Sequence, residues 1–174
     1  SAQSTVSIND TSVIKFERNK LINKVFGNSI KKGFKVFDHS HSDDEIEVKS
    51  SAGHNAYEKI FNCIHKREIK IVKKDNIILG MDEIIKKNHK LKAKFNIRFH
   101  LSPNIEAVQT LGGKTILIQF KKNKSLIFTS DRENINLEKS IFLGGNKILN
   151  NLCINISGNI KNDKKIKWEI RKEI

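Results

Sequence analysis

The chain has 174 residues, enough to bury one core of ordinary size without staples, and its two cysteines, Cys63 and Cys153, form neither a CxxC pattern nor a disulfide framework. No apolar run reaches the ~18 residues that a membrane-spanning helix needs. The net charge is +14, yet 28 lysines stand beside 27 isoleucines, 19 asparagines and only 5 arginines. That skew follows from A/T-rich codons, and the residue that reads phosphate and base edges with a planar fork is the scarce one, so the charge does not argue for nucleic acid.

Taken in chain order, the apolar pattern has mostly period 2. The first residues, SAQSTVSIND, contain no basic n-region and no apolar h-region. Val6 and Ile8 alternate against Ser7 almost at once, a short lead-in that leads us to expect sequence upstream. After the NDTS turn come VIKFE and FKVF (34–37). The stretch DHSHSDDE (38–45) is the most polar and is expected to be an exposed loop, followed by EIEVKS (45–50). NAYEKIFNCI (55–64) stays open between helix and strand, with Tyr57, Ile60, Phe61 and Ile64 at helical spacing. Beyond it, Cys63, Ile69 and Ile71 share one strand parity, and Cys63 reads as a small buried hydrophobe. NIILGMDEI (76–84) follows a turn, and DEIIKKNHK (82–90) is the second helical candidate. In KAKFNIRFHL (92–101), Phe95, Ile97, Phe99 and Leu101 take one face, and Lys94, Asn96, Arg98 and His100 the other. TILIQFK and SLIFTS flank KNK as a hairpin; SIFLGG, ILNNLCINISG and KIKWEIRKE close the chain, the last alternating Ile166, Trp168 and Ile170 with charge. Roughly ten to thirteen short runs with turn residues between them predict an all-β, antiparallel β-sandwich with few or no helices. No repeat or internal boundary appears, so residues 1–174 are expected to form one domain.

Three groups could carry chemistry. His39, His41, Asp43 and Asp44 put two imidazoles on one side of an extended segment, a spacing that suits a metal but lacks a third ligand, so no metal site is predicted. His54 and Tyr57 pair an imidazole with a phenol, the groups that serve as base and acid in proton transfer, and are the candidate catalytic residues. His65 with Arg67, and Arg98 with His100, are two His/Arg pairs at i, i+2, which together could line a groove for an anionic sugar, because the arginine fork binds carboxylate and sulfate. No P-loop, GxSxG, HExxH or GxGxxG pattern occurs.

The order AQSTVSINDTSVIKF, SAGHNAYEKIFNCIHKREIKI, FNIRFHLSPNIEA, EKSIFLGG and KIKWEIRK resembles the C-terminal part of heparinase II/III-like proteins of alphaproteobacterial type. That family shows AHSTL, HDGY…IHRR, RFHLHP and a W.L end strand in this order. His54 and Tyr57 match the ends of HDGY, His65 and Arg67 match HRR around Lys66, and Arg98 to Leu101 match RFHL, with Ser102 in place of the next histidine. The resemblance implies a polysaccharide lyase with an N-terminal α/α toroid packed on this sandwich. An anionic polysaccharide such as a glycosaminoglycan would lie in the cleft between them, in the periplasm or cell envelope of a Gram-negative bacterium. It implies β-elimination at a uronic acid, with a zinc ion ordering the sandwich. Here Gln3 stands where the family has the histidine of AHST, so no cofactor is expected in this segment. Two other readings remain: a non-catalytic carbohydrate- or anion-binding module, and a purely structural sandwich.

Overall fold

A computed structural model of the protein describes residues 4–27, 30–87, 92–120, 124–144, 147–160 and 165–173. The chain runs β1 (Val6–Ile8), β2 (Lys15–Phe16), α1 (Lys20–Phe26), β3 (Ile30–Lys32), β4 (Val36–Asp43), β5 (Glu47–His54) and α2 (Glu58–Phe61). It continues through β6 (Cys63–Val72), β7 (Ile77–Lys86), β8 (Lys94–His100), β9 (Glu106–Gln109) and β10 (Thr115–Phe120). It ends with β11 (Lys124–Ser130), β12 (Ile135–Gly144), β13 (Lys147–Asn159) and β14 (Lys165–Lys172). Two antiparallel sheets face each other: four strands in the order β1-β8-β13-β12, and eight in the order β4-β5-β6-β7-β14-β11-β10-β9. β2 and β3 form a separate two-stranded ribbon.

The predicted sandwich is therefore present, and its core follows from parity. On β8, Phe95 and Ile97 are wholly buried, and the register sets Ile97 between Val6 of β1 and Ile156 of β13, both also buried. Opposite them the large sheet turns in Cys63, Ile84, Ile116, Phe128, Ile166 and Trp168. Successive side chains of a strand point to opposite faces, so this alternation fixes which face each polar residue takes. The strands that flank KNK, β10 and β11, pair antiparallel, Ile116 opposite Phe128, while residues 121–123 between them lie outside the described residues. Cys63 and Cys153 are buried free thiols, as expected of small hydrophobes. Among the described residues, β4 and β5 contribute no buried apolar side chain. The large sheet thus extends two strands past the core.

Two expectations need correction, and one stretch left open is settled. The polar stretch 38–45 is exposed as expected, but only Asp44 and Glu45 lie in a connection: β4 runs through Asp43 as an edge strand, its backbone paired with β5 while its side chains stay in solvent. Polar and charged edge strands are a common protection against sheet-to-sheet aggregation, so polarity there does not mean loop. NAYEKIFNCI holds a single helical turn, α2, before the strand resumes at Cys63. DEIIKKNHK is strand up to Lys86, because Asp82 and Ile84 point into the sandwich; Asn88–Lys90 lie outside the described residues. The helix that does form, α1, starts where the Asn19 Oδ1 accepts from the Leu21 backbone amide at 2.9 Å, an N-cap.

Candidate functional site

Cross-strand register assembles the site. Arg67 of β6 lies directly opposite Asp82 of β7, His65 lies opposite His54 of β5, and Trp168 of β14 lies opposite Gly80 of β7. Residues two apart share a face, so His65 and Trp168 are the diagonal neighbours of Asp82, within reach of long side chains. Gly80 is needed for the second diagonal. A Cβ there would sit 2.0 Å from Cζ2 of Trp168, so only glycine lets the indole lie across β7.

Asp82 has no solvent exposure. Its Oδ1 accepts from His65 Nε2 at 2.6 Å and from Arg67 Nε at 2.8 Å. Its Oδ2 accepts from Arg67 Nη2 at 3.2 Å and from Trp168 Nε1 at 2.8 Å. Burial works to raise this carboxyl, but the His65 hydrogen bond and the Arg67 charge outweigh it and hold it below the usual carboxylate range. Arg67 is tied further: Nη1 donates to the Ser4 carbonyl at 2.8 Å, and its guanidinium carbon lies 5.5 Å from the centre of the Phe99 ring. Phe99 in turn meets Trp168 edge-on at 4.8 Å. A buried ion pair is thus clamped by hydrogen bonds between the two sheets.

From Asp82 the network leads outward. His65, itself buried, brings Nδ1 to 3.1 Å from Nε2 of His54. His54 closes β5 at the border between the core and the overhanging β4–β5 strands, with Phe34 at 5.3 Å and Tyr57 at 5.8 Å between ring centres. Burial first, then the neighbouring His65 and Arg67, lower its imidazole from the ordinary 6.5 to about 4, so it is neutral at physiological pH. Its Nδ1 receives only a long 3.4 Å contact from the Ala56 amide. Next to it opens a pocket of about 300 Å³ lined by Gly33, Phe34, Lys35, Asn55, Ala56 and Lys59. The two lysines make no ion pair among the described residues.

Tyr57 is placed differently from His54. Its ring is buried, and its hydroxyl donates to the Val6 carbonyl at 2.8 Å, tying the α2 turn to β1 of the facing sheet. Burial, and then Cys63 beside it, push its hydroxyl well above the usual phenol range. Burial likewise raises the Cys63 thiol to about 11, so it is no nucleophile at neutral pH.

The structure does not bring the four groove residues together. His65 and Arg67 point between the sheets, whereas Arg98 and His100 point away from the core on the outer face of the small sheet. There Arg98 donates to the Ser7 hydroxyl at 2.9 Å and meets Asp10 at 3.3 Å and Glu138 at 3.9 Å, so its charge is already matched. His100 Nδ1 lies 3.2 Å from the Ser140 hydroxyl. The HSHSDD group is taken up by turn chemistry: Asp43 pairs with Lys73 at 2.6 Å, and Asp44 Oδ1 accepts from the amides of Ile46 and Glu47. His39 and His41 remain exposed. Among the described residues no three His, Cys, Asp or Glu side chains come together as metal ligands, and Gln3 lies outside those residues.

Asp82 and Trp168 were not marked as site residues by the sequence reading. The signal for Asp82 was its parity: it shares a face with Ile78, Gly80 and Ile84, a carboxylate in an apolar row that has to find a buried cation.

A family model described as "Heparinase II/III-like, C-terminal" matches residues 1–169. The chain belongs to that family. The heparinase II/III-like domain is also similar in fold to a heparan sulfate lyase, HepC, from Pedobacter heparinus, with a TM-score of 0.71 and 12% identity over 98% of this chain and 24% of that one. It is similar to a structure titled heparinase III, with a TM-score of 0.62 and 16% identity over 97% of this chain and 23% of that one. The domain thus spans about a quarter of the length of either structure. A search of curated protein sequences gave no match.

Proposed function

We propose that the domain forms one wall of a polysaccharide-lyase cleft and supplies its proton-accepting group, His54. The reaction is β-elimination at the uronic acid of an anionic polysaccharide. The C5 proton goes to a base, the electron pair forms the C4=C5 double bond, and the glycosidic oxygen leaves with a proton from an acid. A base for this step has to be neutral and near the surface at working pH. The position of His54 carries the reading: its imidazole stands at the rim of the sandwich against Phe34, which lines the adjacent pocket. Lys35 and Lys59 face the adjacent pocket, make no ion pair among the described residues, and suit the substrate carboxylate, whose charge grows as the C5 proton departs. Phe34 offers a flat apolar surface to a sugar ring.

The roles anticipated for the other residues are reassigned within this proposal. Tyr57 supports the wall, since its proton is committed to Val6, and the acid comes from the part of the cleft formed by the toroid of a longer protein. His65 and Arg67 stand behind His54 and do not touch sugar. Arg98 and His100 lie on the far face.

The test is formation of unsaturated uronate, followed by its ultraviolet absorbance, on heparan sulfate and on alginate. The protein joined to its toroid should turn over one of them, and His54→Ala should lower that rate at least about a hundredfold, the scale of a lost general base. The 174 residues alone should be silent. Turnover that is unchanged in His54→Ala sinks the assignment. Salt-sensitive binding to these polymers without any turnover, lost in a Lys35→Ala/Lys59→Ala variant, would instead establish a binding module.

A further inference from the structure

One side chain closes the corner where β5 gives way to α2. Beyond the pairing of Val36 with His54, the Asn55 amide donates to the Lys35 carbonyl at 3.2 Å. In an ordinary antiparallel pair the Lys35 amide would donate in return to the main-chain carbonyl of Asn55. That carbonyl is turned away and accepts from the Glu58 amide at 3.0 Å, in the turn that leads into α2. The side chain takes its place: Oδ1 of Asn55 accepts from the Lys35 amide at 2.8 Å. Its Nδ2 donates to Glu58 Oε2 at 3.1 Å, and Oε1 of Glu58 accepts from Lys87. Each of the four polar groups of Asn55 is thus taken up by Lys35 or Glu58. These partners also fix which way the amide points. Turned over, it would set its NH2 against the Lys35 N–H and its oxygen against a carboxylate.

Lys35, Phe34 and Asn55 all line the pocket beside His54. Phe34 and Lys35 precede β4 and are exposed, so burial in the core does not hold them. The Asn55 clamp does, and Phe34 then lies 5.3 Å from the His54 ring. We infer that Asn55 is a positioning residue that acts through the Lys35 main chain to hold Phe34 and Lys35 beside His54, and so sets how an acidic sugar is seated there. This role presupposes a sugar in that pocket, the function proposed for the domain, but the clamp is read without any polysaccharide, so the two can fail separately. A brace for the corner alone would protect the Lys35 amide and make no demand on turnover. The positioning role demands both.

The experiment pairs two readouts on the protein joined to its toroid. Hydrogen exchange, followed by mass spectrometry without polysaccharide, reads the clamp. Asn55→Ala removes the acceptor of the Lys35 amide, and exchange over residues 33–36 should rise about tenfold while β6 and β7 keep their protection. Asn55→Asp combined with Glu58→Gln turns the second bond round, the glutamine amide donating to the aspartate, and should restore the protection. Unchanged exchange in Asn55→Ala overturns the inference. So does faster exchange spread through β6 and β7, or a double variant that exchanges as fast as Asn55→Ala. Turnover of heparan sulfate or alginate reads the consequence. In Asn55→Ala kcat/KM should fall about tenfold to a hundredfold, the scale of a displaced positioning group, and it should recover in the double variant. An opened clamp with undiminished kcat/KM overturns the positioning role. An unaltered protein that turns over neither polymer retires the proposed function, while exchange still decides whether Asn55 holds Phe34 and Lys35 in place.

Discussion

Two strands of this protein carry the same short pattern, a histidine and an arginine two residues apart, and bury them oppositely. On β6, His65 and Arg67 share parity with Cys63 and Ile69 and face the core. On β8, Arg98 and His100 alternate with Phe95, Ile97 and Phe99 and face away from it. The consequence is electrostatic. The inner arginine has a wholly buried carboxylate with four donors around it, whereas the outer one meets Asp10 and Glu138, whose side chains are 72% and 42% exposed. A charge pair out of water is costly to break and directional; a pair in water is neither. Only the inner pair can therefore impose a fixed orientation on a neighbour such as His54.

The sharpest way to break this contrast is to make the same change at both arginines. Arg67→Gln leaves Asp82 buried without its cation, and should cost about 3–5 kcal/mol of folding free energy in urea denaturation. A loss below about 1 kcal/mol would mean that the inner pair is no clamp. Gly80→Ala comes next. Its methyl group would meet the Trp168 ring at 2.0 Å, and the indole cannot stay where it is. Overpacking of this kind costs about 1–3 kcal/mol. The tryptophan is the only one in the chain, so its fluorescence should report the displaced ring as well.

How much of this was legible before the structure depends on the link in question. Alternation gave the sandwich, the β8 face and the β10–β11 hairpin, because period 2 is a direct imprint of a half-buried strand. The same rule, applied to Cys63 and Ile69, puts His65 and Arg67 on the core face, a consequence that the reading of all four His/Arg residues as one sugar-binding groove did not draw. What parity cannot supply is register. That Arg67 faces Asp82 and that His54 faces His65 depends on how β5, β6 and β7 slide against each other, and that is fixed by the whole buried face. Asp82 was therefore visible as an anomaly in an apolar row, but not as the centre of a site. The pocket lysines Lys35 and Lys59 carried no signal among 28 lysines, since what sets them apart is position only. Edge strand β4 was misread because its exposed side chains look like those of a loop.

Acid should separate the inner network from the outer one more gently. The folded His54 titrates at about 4 and the unfolded one near 6.5. Between those values the unfolded state binds a proton that the folded state refuses, so stability falls as pH drops from 6.5 toward 4. Asp82, whose folded carboxyl is depressed, adds a second loss as pH falls below its ordinary 3.8. Urea midpoints measured at pH 7, 5.5 and 4.5 should decline in that order, and His54→Gln should flatten the upper part of the slope. An unchanged slope in that variant would assign the acid sensitivity elsewhere.

The smallest effect should come from the outer arginine. Arg98→Gln keeps a donor for the Ser7 hydroxyl while removing the charge, and what is lost are contacts at 3.3 Å and 3.9 Å to carboxylates that water already solvates. The expected cost is at most about 1 kcal/mol, and it should shrink further as salt is added. Beside Arg67→Gln in the same denaturation series, it isolates burial of the carboxylate partner as the variable, because the two arginine side chains are about equally exposed, at 19% and 18%, and the residue type and the substitution are the same on both strands. Equal losses at the two positions would show that face does not decide what a His/Arg pair does here. A large gap, insensitive to salt at Arg67 and salt-dependent at Arg98, would tie the rigidity behind His54 to the desolvated Asp82.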